Sequence, residues 1–128
     1  MILSALARRE KRHSWSRRLL VDVLSGRYGA AYVTDYIIDE ALSYASARLS
    51  ENDARKLLSL LVHRSLFRII PVTLDVFNTA VEIYERNLGK RLSFTDAATL
   101  AVAKLYDIDY IATLDTVLAS MHPSLHPG

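Results

Sequence analysis

The segment RLSFTDAATLAVAKLYDIDYIATLD, residues 91–115, carries the pattern that decides the fold. Its first half is an almost unbroken apolar run with one carboxylate, Asp96, in the first turn of a predicted helix. Ser93 stands three residues before Asp96, which is the spacing of a capping box at a helix N-terminus. A helix with so little polar surface should be buried on most sides. The second half predicts a short strand over residues 109–113, followed directly by Asp115.

Two further short strands precede this segment, and helical stretches separate them. We predict strands at residues 30–34 and 67–72, the second of which ends early or lies at a sheet edge because it contains Pro71. The apolar periodicity predicts helices over residues 4–24, 35–49, 50–65, 73–89 and 93–106. Short strands joined by helices of this length are typical of a parallel sheet, because parallel neighbours need crossover connections. The sequence therefore predicts an α/β fold in three layers, with a short parallel sheet flanked by helices.

Hydroxyl side chains mark the beginnings of two of these helices. Thr34 and Ser50 each stand where a side-chain oxygen can accept a hydrogen bond from the first helical turn, and Thr73 or Leu74 opens a further helix. The helix after Thr73 is predicted from apolar residues that recur at three- and four-residue spacings, and Gly89 ends it. These apolar residues are Phe77, Ala80, Val81, Tyr84 and Leu88.

The composition limits the classes of protein to which the chain can belong. The chain has 128 residues, 51% hydrophobic and 23% charged, which is ordinary globular usage, so we expect one domain over residues 1–128. The sequence has neither an apolar run of membrane-spanning length nor a signal-peptide pattern, and we expect a cytoplasmic protein with no membrane association. The lack of cysteine excludes thiolate zinc sites, disulfide scaffolds and cysteine nucleophiles. The sequence also lacks the motifs of serine hydrolases, nucleotide triphosphatases and dinucleotide enzymes.

Three acidic residues are placed where the predicted fold would bring them together. Glu40 and Asp115 each follow the carboxyl end of a predicted strand, and ligands of open parallel sheets bind at that edge. Asp96 reaches the same crevice if its helix begins beside it. Three carboxylates ~5 Å apart repel by on the order of 3 kcal/mol per pair, so a cation must offset the repulsion. Oxygen ligands suit Mg²⁺ or Mn²⁺, which can activate a water and orient a phosphodiester for hydrolysis.

Each acid also has a purely structural interpretation. Asp96 can serve as the carboxylate of the helix cap, and Asp115 as a turn residue. Glu40 can belong to a solvated helix face. Taken together, the three acids form one pattern that favours the metal site.

Positive charge is concentrated near the N-terminus. The net charge is only +2, but the stretch RREKRHSWSRR, residues 8–18, is strongly basic. Such a cluster can bind the phosphates of RNA, and Trp15 within it can stack on a base. The alternative is a solvated helix face with Trp15 packed inward. The residues assigned to phosphate binding are Arg8, Arg9, Lys11 and Arg12.

Three segments resemble the PIN-domain family, small metal-dependent ribonucleases that include the VapC-like toxins of prokaryotic toxin–antitoxin pairs. They are the helix SALARREKRHSWSRRLL (residues 4–20), YVTDYIIDEAL (residues 32–42) and the opening segment, residues 91–115. They follow the order and approximate spacing of the family across nearly the whole chain. The serine, the following D-A pair and the apolar strand that ends in T-x-D are the most specific part of the resemblance.

The resemblance implies a function and a set of site residues. Glu40, Asp96 and Asp115 match acids of the family's metal site, and Thr113 matches the hydroxyl beside the last of them. Ser93 supports Asp96 as its cap. The implied activity is hydrolysis of RNA with Mg²⁺ or Mn²⁺, and the implied partner is an antitoxin protein.

The sequence departs from the family at its N-terminus. PIN domains begin with an apolar strand that ends in an aspartate, the first metal ligand, whereas this chain begins MILSALARRE. The resemblance places that aspartate a few residues before Met1, and Glu10 lies too far into the first helix to replace it. We therefore expect the first strand to be missing and Met1 to be an internal start, with the strand and the aspartate encoded upstream. A sheet without its central strand has two unpaired strand edges, which favours a homodimer.

Two other functions stay open on the sequence alone. One is a catalytically weakened or inactive PIN-like binding module that acts through dimerisation or a partner protein. The other is a small basic DNA-binding domain, which rests only on residues 8–18 and lacks a helix-turn-helix signature.

Overall fold

Short parallel strands form the centre of the protein. The computed structural model describes residues 2–3, 25–26, 29–112, 121 and 124–125. The strands within them are β1 (Ile2–Leu3), β2 (Tyr32–Thr34), β3 (Arg68–Ile70), β4 (Ile111–Ala112) and β5 (Ser124–Leu125). They form one sheet in the order β3-β2-β1-β4-β5, and every pairing is parallel. The predicted α/β fold with a short parallel sheet is confirmed, and β3, the strand followed by Pro71, lies at an edge as predicted.

Four α-helices lie in the described part of the chain, and each begins at a hydroxyl cap. They are α1 (Asp35–Arg48), α2 (Glu51–Leu58), α3 (Leu74–Arg86) and α4 (Phe94–Leu105). The α2 helix continues into a π-helical turn, Ser59–His63, and a short 3-10 helix, Leu88–Lys90, follows α3. At each helix start the cap hydroxyl accepts a hydrogen bond from a backbone N–H three residues later. None of the described helices is long and apolar enough to cross a membrane.

Helices pack on both faces of the sheet, which makes the three layers. In β2, Val33 joins a core with Ile37 of α1 and with Leu61 and Phe67. The neighbouring Tyr32 packs against a second core that contains the buried sides of α3 and α4. Successive side chains of a strand point to opposite faces, so the two cores lie on opposite sides of the sheet.

The helix formed by the first half of residues 91–115, α4, is buried along most of its length. Residues 96–103 are all buried, and most of them are small or apolar, as the sequence predicts. The one hydroxyl in the middle of this run, Thr99, donates a hydrogen bond to the carbonyl oxygen of Thr95 at 3.2 Å. Burial of Thr99 therefore leaves its hydroxyl satisfied.

The expectation that the first strand is missing was wrong. Ile2–Leu3 form β1 at the centre of the sheet, between β2 and β4. Ile2 is in register with Tyr32 on one side and with Ile111 on the other. Because β1 pairs with both neighbours, the two inner strand edges that favoured a homodimer are not left open.

The buried face of α3 also differs from the apolar stripe on which the prediction of this helix rests. Its buried residues are Val76, Ala80 and Ile83. Of the stripe, only Ala80 is buried, whereas Phe77, Tyr84 and Leu88 are exposed. The helix ends at Arg86 rather than at Gly89. Asn87 then caps it and donates a hydrogen bond to the carbonyl oxygen of Ile83 at 2.7 Å.

A long-range hydrogen bond ties the chain after β3 to the start of α1. Asp35 Oδ1 accepts from the backbone N–H of Val72 at 2.9 Å. Because the acceptor is charged but exposed, we expect Asp35→Ala to lower the free energy of unfolding by about 1 kcal/mol in urea titrations. The matched control is Asp39→Ala on the same helix, since Asp39 accepts a local hydrogen bond from Ser43. Equal losses in the two variants would show that the Asp35–Val72 bond does not stabilise the fold.

Candidate active site

Asp96 lies in the first turn of α4 and is nearly buried, with 9% of its surface exposed. Its backbone N–H donates a hydrogen bond to Ser93 Oγ at 3.0 Å, which confirms Ser93 as the cap. The N-terminus of a helix carries partial positive charge, which stabilises an ionised carboxylate there. Capping and burial together hold Asp96 in one place, as a metal ligand requires.

Glu40 lies on α1 and is partly buried. Tyr36 precedes it by four residues, so the two side chains lie on the same face of α1. The ring of Tyr36 contacts the ring of Phe94, the first residue of α4, with 6.2 Å between the centroids. The contact brings the first turn of α1 next to the first turn of α4, which carries Asp96.

The remaining predicted site residues lie outside the described residues. Thr113 and Asp115 follow β4 in the sequence, and the basic residues Arg8, Arg9, Lys11 and Arg12 belong to the stretch between β1 and residue 25. Among the side chains that the structure describes, no three of His, Cys, Asp and Glu form a group that could hold a metal ion. All the metal ligands, Glu40 and Asp96 included, and the phosphate-binding residues therefore stay predictions.

The donor chemistry of the two described acids fits a hard cation. Both Glu40 and Asp96 offer carboxylate oxygens, the ligands that Mg²⁺ and Mn²⁺ prefer. Asp96 adds a fixed position at a helix N-terminus. Glu40 and Asp96 are the two described residues of the predicted metal site, and their donor atoms are of the kind that such a cation takes.

An aromatic cluster beside Asp96 was not anticipated from the sequence. The ring of Phe94 contacts Phe77 and Tyr84 of α3 as well as Tyr36, with centroid separations of 5.5 Å and 5.7 Å to the α3 rings. Such aromatic contacts stabilise beyond the area they bury. Because Phe94 stands two residues before Asp96, the cluster fixes the start of α4. The one signal in the sequence was the aromatic pair of α3, Phe77 and Tyr84, seven residues apart.

Solved structures with the same fold cover nearly the whole chain. VapC20 of Mycobacterium tuberculosis, described as a Sarcin-Ricin loop cleaving toxin, superposes with a TM-score of 0.78 at 18% identity, and the match covers 94% of each chain. FitAcB of Neisseria gonorrhoeae gives 0.65 at 22% identity, covering 99% of this chain and 98% of that one. VapBC-5 of M. tuberculosis, a member of the VapBC family of toxin–antitoxin systems, gives 0.57 at 16% identity, covering 98% and 94%. Identities this low establish likeness of fold alone.

Family membership rests on the sequence. No protein of curated function matches the chain significantly. The family model of the PIN domain, in contrast, matches residues 1–122, which include β1, every described helix and both described acids of the site. The chain therefore belongs to the PIN-domain family.

Proposed function

We propose that the protein is a ribonuclease that hydrolyses RNA phosphodiesters with Mg²⁺ or Mn²⁺ held by Glu40, Asp96 and Asp115. The observation that carries the proposal is the nearly buried carboxylate of Asp96, capped at the start of α4 and joined by the Tyr36–Phe94 contact to the helix that bears Glu40. Membership of the PIN-domain family supports the same assignment. The match over residues 1–122 also supports one domain for the whole chain.

Each residue of the proposed site has a defined role in the reaction. Glu40, Asp96 and Asp115 are the catalytic carboxylates and supply anionic oxygens to the cation, which when bound activates a water and offsets charge on the leaving oxygen. Ser93 fixes the first turn of α4, so the carboxylate of Asp96 keeps its direction. Thr113 supports Asp115 with its hydroxyl. The basic residues that bind phosphates flanking the cut are Arg8, Arg9, Lys11 and Arg12.

We further propose that the protein is the toxin of a toxin–antitoxin pair. Similarity in fold to VapC20 and to VapBC-5 supports this role, and the cleavage target named for VapC20 supports RNA as the substrate class. The partner is then an antitoxin protein that restrains the nuclease. A short neighbouring gene whose product forms a stable complex with this chain would support the pairing. Co-expression of that product should suppress RNA cleavage.

The experiment that tests the activity compares RNA cleavage with and without metal. The purified chain is incubated with mixed RNA in Mn²⁺, in Mg²⁺, and in a chelator. We expect cleavage with either cation, none in the chelator, and recovery when Mn²⁺ is restored in excess. Cleavage that persists in the chelator would contradict a metal-dependent reaction.

A second measurement separates a weak enzyme from a binding module. A cation that binds the folded chain and not the unfolded one raises the unfolding temperature. We expect Mn²⁺ to raise it for the native chain and to raise it less for Glu40→Gln. A chain that neither cleaves RNA nor responds to Mn²⁺ would be the non-catalytic PIN-like binding module.

A further inference from the structure

The connection between α3 and α4 is strongly basic. Residues 86–95, RNLGKRLSFT, contain Arg86, Lys90 and Arg91 and no acidic residue, and all three basic side chains are exposed. Arg86 stands four residues after Glu82, a spacing at which opposite charges on a helix compensate each other. The uncompensated charge therefore belongs to Lys90 and Arg91, here called the basic turn. Neither residue forms an ion pair with another residue of the described range 29–112.

Buried residues anchor the basic turn on both sides. The side chain of Asn87 is buried and donates a hydrogen bond to the carbonyl oxygen of Ile83 at 2.7 Å. The backbone N–H of Lys90 donates in turn to the carbonyl oxygen of Asn87 at 3.0 Å. Leu92, which directly follows Arg91, is buried in the core of α3 and α4. Because the backbone is already fixed, a ligand of the basic turn has to immobilise only side chains, which lowers the entropic cost of binding.

The backbone of Arg91 has the left-handed conformation, with φ 57° and ψ 28°. A residue other than glycine is uncommon in this region, and conformations of this kind cluster at ligand sites. Glycine would meet the same backbone requirement without the steric cost. The arginine side chain is therefore kept at a position where the backbone alone would favour glycine.

The basic turn lies close to the candidate catalytic carboxylate of Asp96. Arg91 stands two residues before Ser93, and Ser93 caps the helical turn that carries Asp96. Two residues span at most about 7 Å, and one helical turn rises by about 5 Å. The Cα atoms of Arg91 and Asp96 are then no more than about 12 Å apart. At a rise of about 3.4 Å per nucleotide of a stacked strand, that distance corresponds to about four nucleotides.

We propose that the basic turn binds the RNA backbone within about four nucleotides of the bond that is cut. The guanidinium group of Arg91 has a planar fork of donors that matches two phosphate oxygens, whereas the ammonium group of Lys90 acts as a point charge. Phosphate contacts position a strand and carry no sequence information, so the basic turn orients the RNA without selecting its bases. The inference rests on the proposed ribonuclease function for the position of the cut. It adds a phosphate contact to those predicted for residues 8–12.

The salt dependence of RNA binding counts the phosphate contacts. Fluorescence anisotropy with a labelled single-stranded RNA, in a chelator so that no metal-dependent cleavage occurs, gives the association constant at several salt concentrations. Each contact to a single strand contributes about 0.7 to the slope of its logarithm against that of the salt concentration. We expect the slope to fall by about 0.7 in Lys90→Gln and in Arg91→Gln, and by about 1.4 in the double variant. The affinity of the double variant at 0.1 M salt should be lower by about 10-fold or more.

Lys104→Gln is the matched control for the loss of charge. Lys104 is exposed in the last turn of α4, at the opposite end of the helix from the basic turn. Its replacement removes one positive charge from the chain and should leave the slope and the affinity at native values. Equal losses in Lys104→Gln and Arg91→Gln would overturn the proposal, because they would reflect net charge alone. Failure of the native chain to bind RNA would overturn it as well.

Arg91→Gly separates the side chain from the backbone. Glycine adopts the left-handed conformation readily, so the unfolding temperature should not fall. RNA binding should nevertheless weaken as much as in Arg91→Gln. Native RNA affinity in Arg91→Gly would overturn the proposal. Unchanged RNA affinity in the double variant, together with lost binding of polyglutamate, would assign the basic turn to an acidic protein surface instead.

The response to Mn²⁺ distinguishes failure of this inference from failure of the proposed nuclease. The basic turn supplies no metal ligand, so the Lys90→Gln/Arg91→Gln variant should keep the native rise in unfolding temperature on adding Mn²⁺. A native chain that neither cleaves RNA nor responds to Mn²⁺ would refute the nuclease. The reduced salt slope of the double variant would still support RNA binding by the basic turn in that case.

Discussion

Replacing Asp96 by asparagine should abolish the metal-dependent RNA cleavage proposed for this chain. The substitution keeps the size of the side chain, and it keeps the backbone N–H that donates to Ser93 Oγ. It removes one anionic oxygen from a set of carboxylates that must hold a divalent cation. We expect the initial rate at saturating Mn²⁺ to fall by on the order of 100-fold or more, which corresponds to roughly 2.7 kcal/mol of lost transition-state stabilisation.

Measurements of stability and a control variant show whether the loss of RNA cleavage in Asp96→Asn is confined to the metal site. The free energy of unfolding of Asp96→Asn without metal should fall by no more than about 1 kcal/mol, because the substitution loses only the attraction between the carboxylate and the helix N-terminus. The rise in unfolding temperature on adding Mn²⁺ should disappear. Asp109→Asn, at an exposed aspartate before β4, is the matched control and should cleave RNA at the native rate. Native activity in Asp96→Asn would remove Asp96 from the catalytic site.

The capped and buried position of Asp96 could be predicted because the residues that determine it lie close together in the sequence. A serine three residues before an aspartate, followed by small apolar residues, specifies a capped and buried helix start, and the structure has both features. The same holds for Thr34, whose hydroxyl accepts a hydrogen bond from the N–H of Ile37 and begins the helix that carries Glu40. A helix cap depends on residues within one helical turn, so a short sequence pattern is nearly sufficient to predict it.

The face of α3 could not be predicted because this helix has two apolar sides. Val76 and Ile83 repeat at helical spacing, and so do the exposed apolar residues Leu74, Phe77 and Tyr84. Periodicity measures whether a side is apolar and not which side meets the core. In the structure, Val76 and Ile83 join the core that contains the buried alanines of α4. Phe77 and Tyr84 instead contact the ring of Phe94 at the start of α4.

The central strand β1 was missed for a different reason. Two residues are too few to show any alternation, and Ile2–Leu3 form a strand because β2 and β4 offer them backbone partners from distant parts of the chain. The pairing is non-local, so no window of sequence around Met1 contains it. The aromatic contacts of Phe94 with Tyr36, Phe77 and Tyr84 are likewise formed across three helices. They join helices that are distant in the sequence, and only the packed fold reveals them.

The largest loss of stability is expected from Leu100→Ala. Leu100 is 1% exposed and lies in the core that α4 shares with Ile83 of α3 and Ile111 of β4. Its neighbours along α4 include several buried alanines, whose short side chains cannot move to fill the space that the substitution opens. A large-to-small change in such a site removes apolar burial and leaves a cavity. We expect the free energy of unfolding to fall by about 3–5 kcal/mol, a large part of the total for a domain of this size.

Leu105→Ala on the same helix separates the effect of burial from that of the substitution itself. Leu105 is the last residue of α4 and is exposed, so its replacement should cost less than about 1 kcal/mol in the same urea titrations. Both variants exchange leucine for alanine in one helix, so differences in helix propensity are small beside the cavity term. Similar losses for the two variants would mean that α4 is not enclosed as the structure places it. A large loss of unfolding free energy in Leu100→Ala alone would support α4 as the centre of the core that positions Asp96. The slope of that free energy with urea concentration should be unchanged.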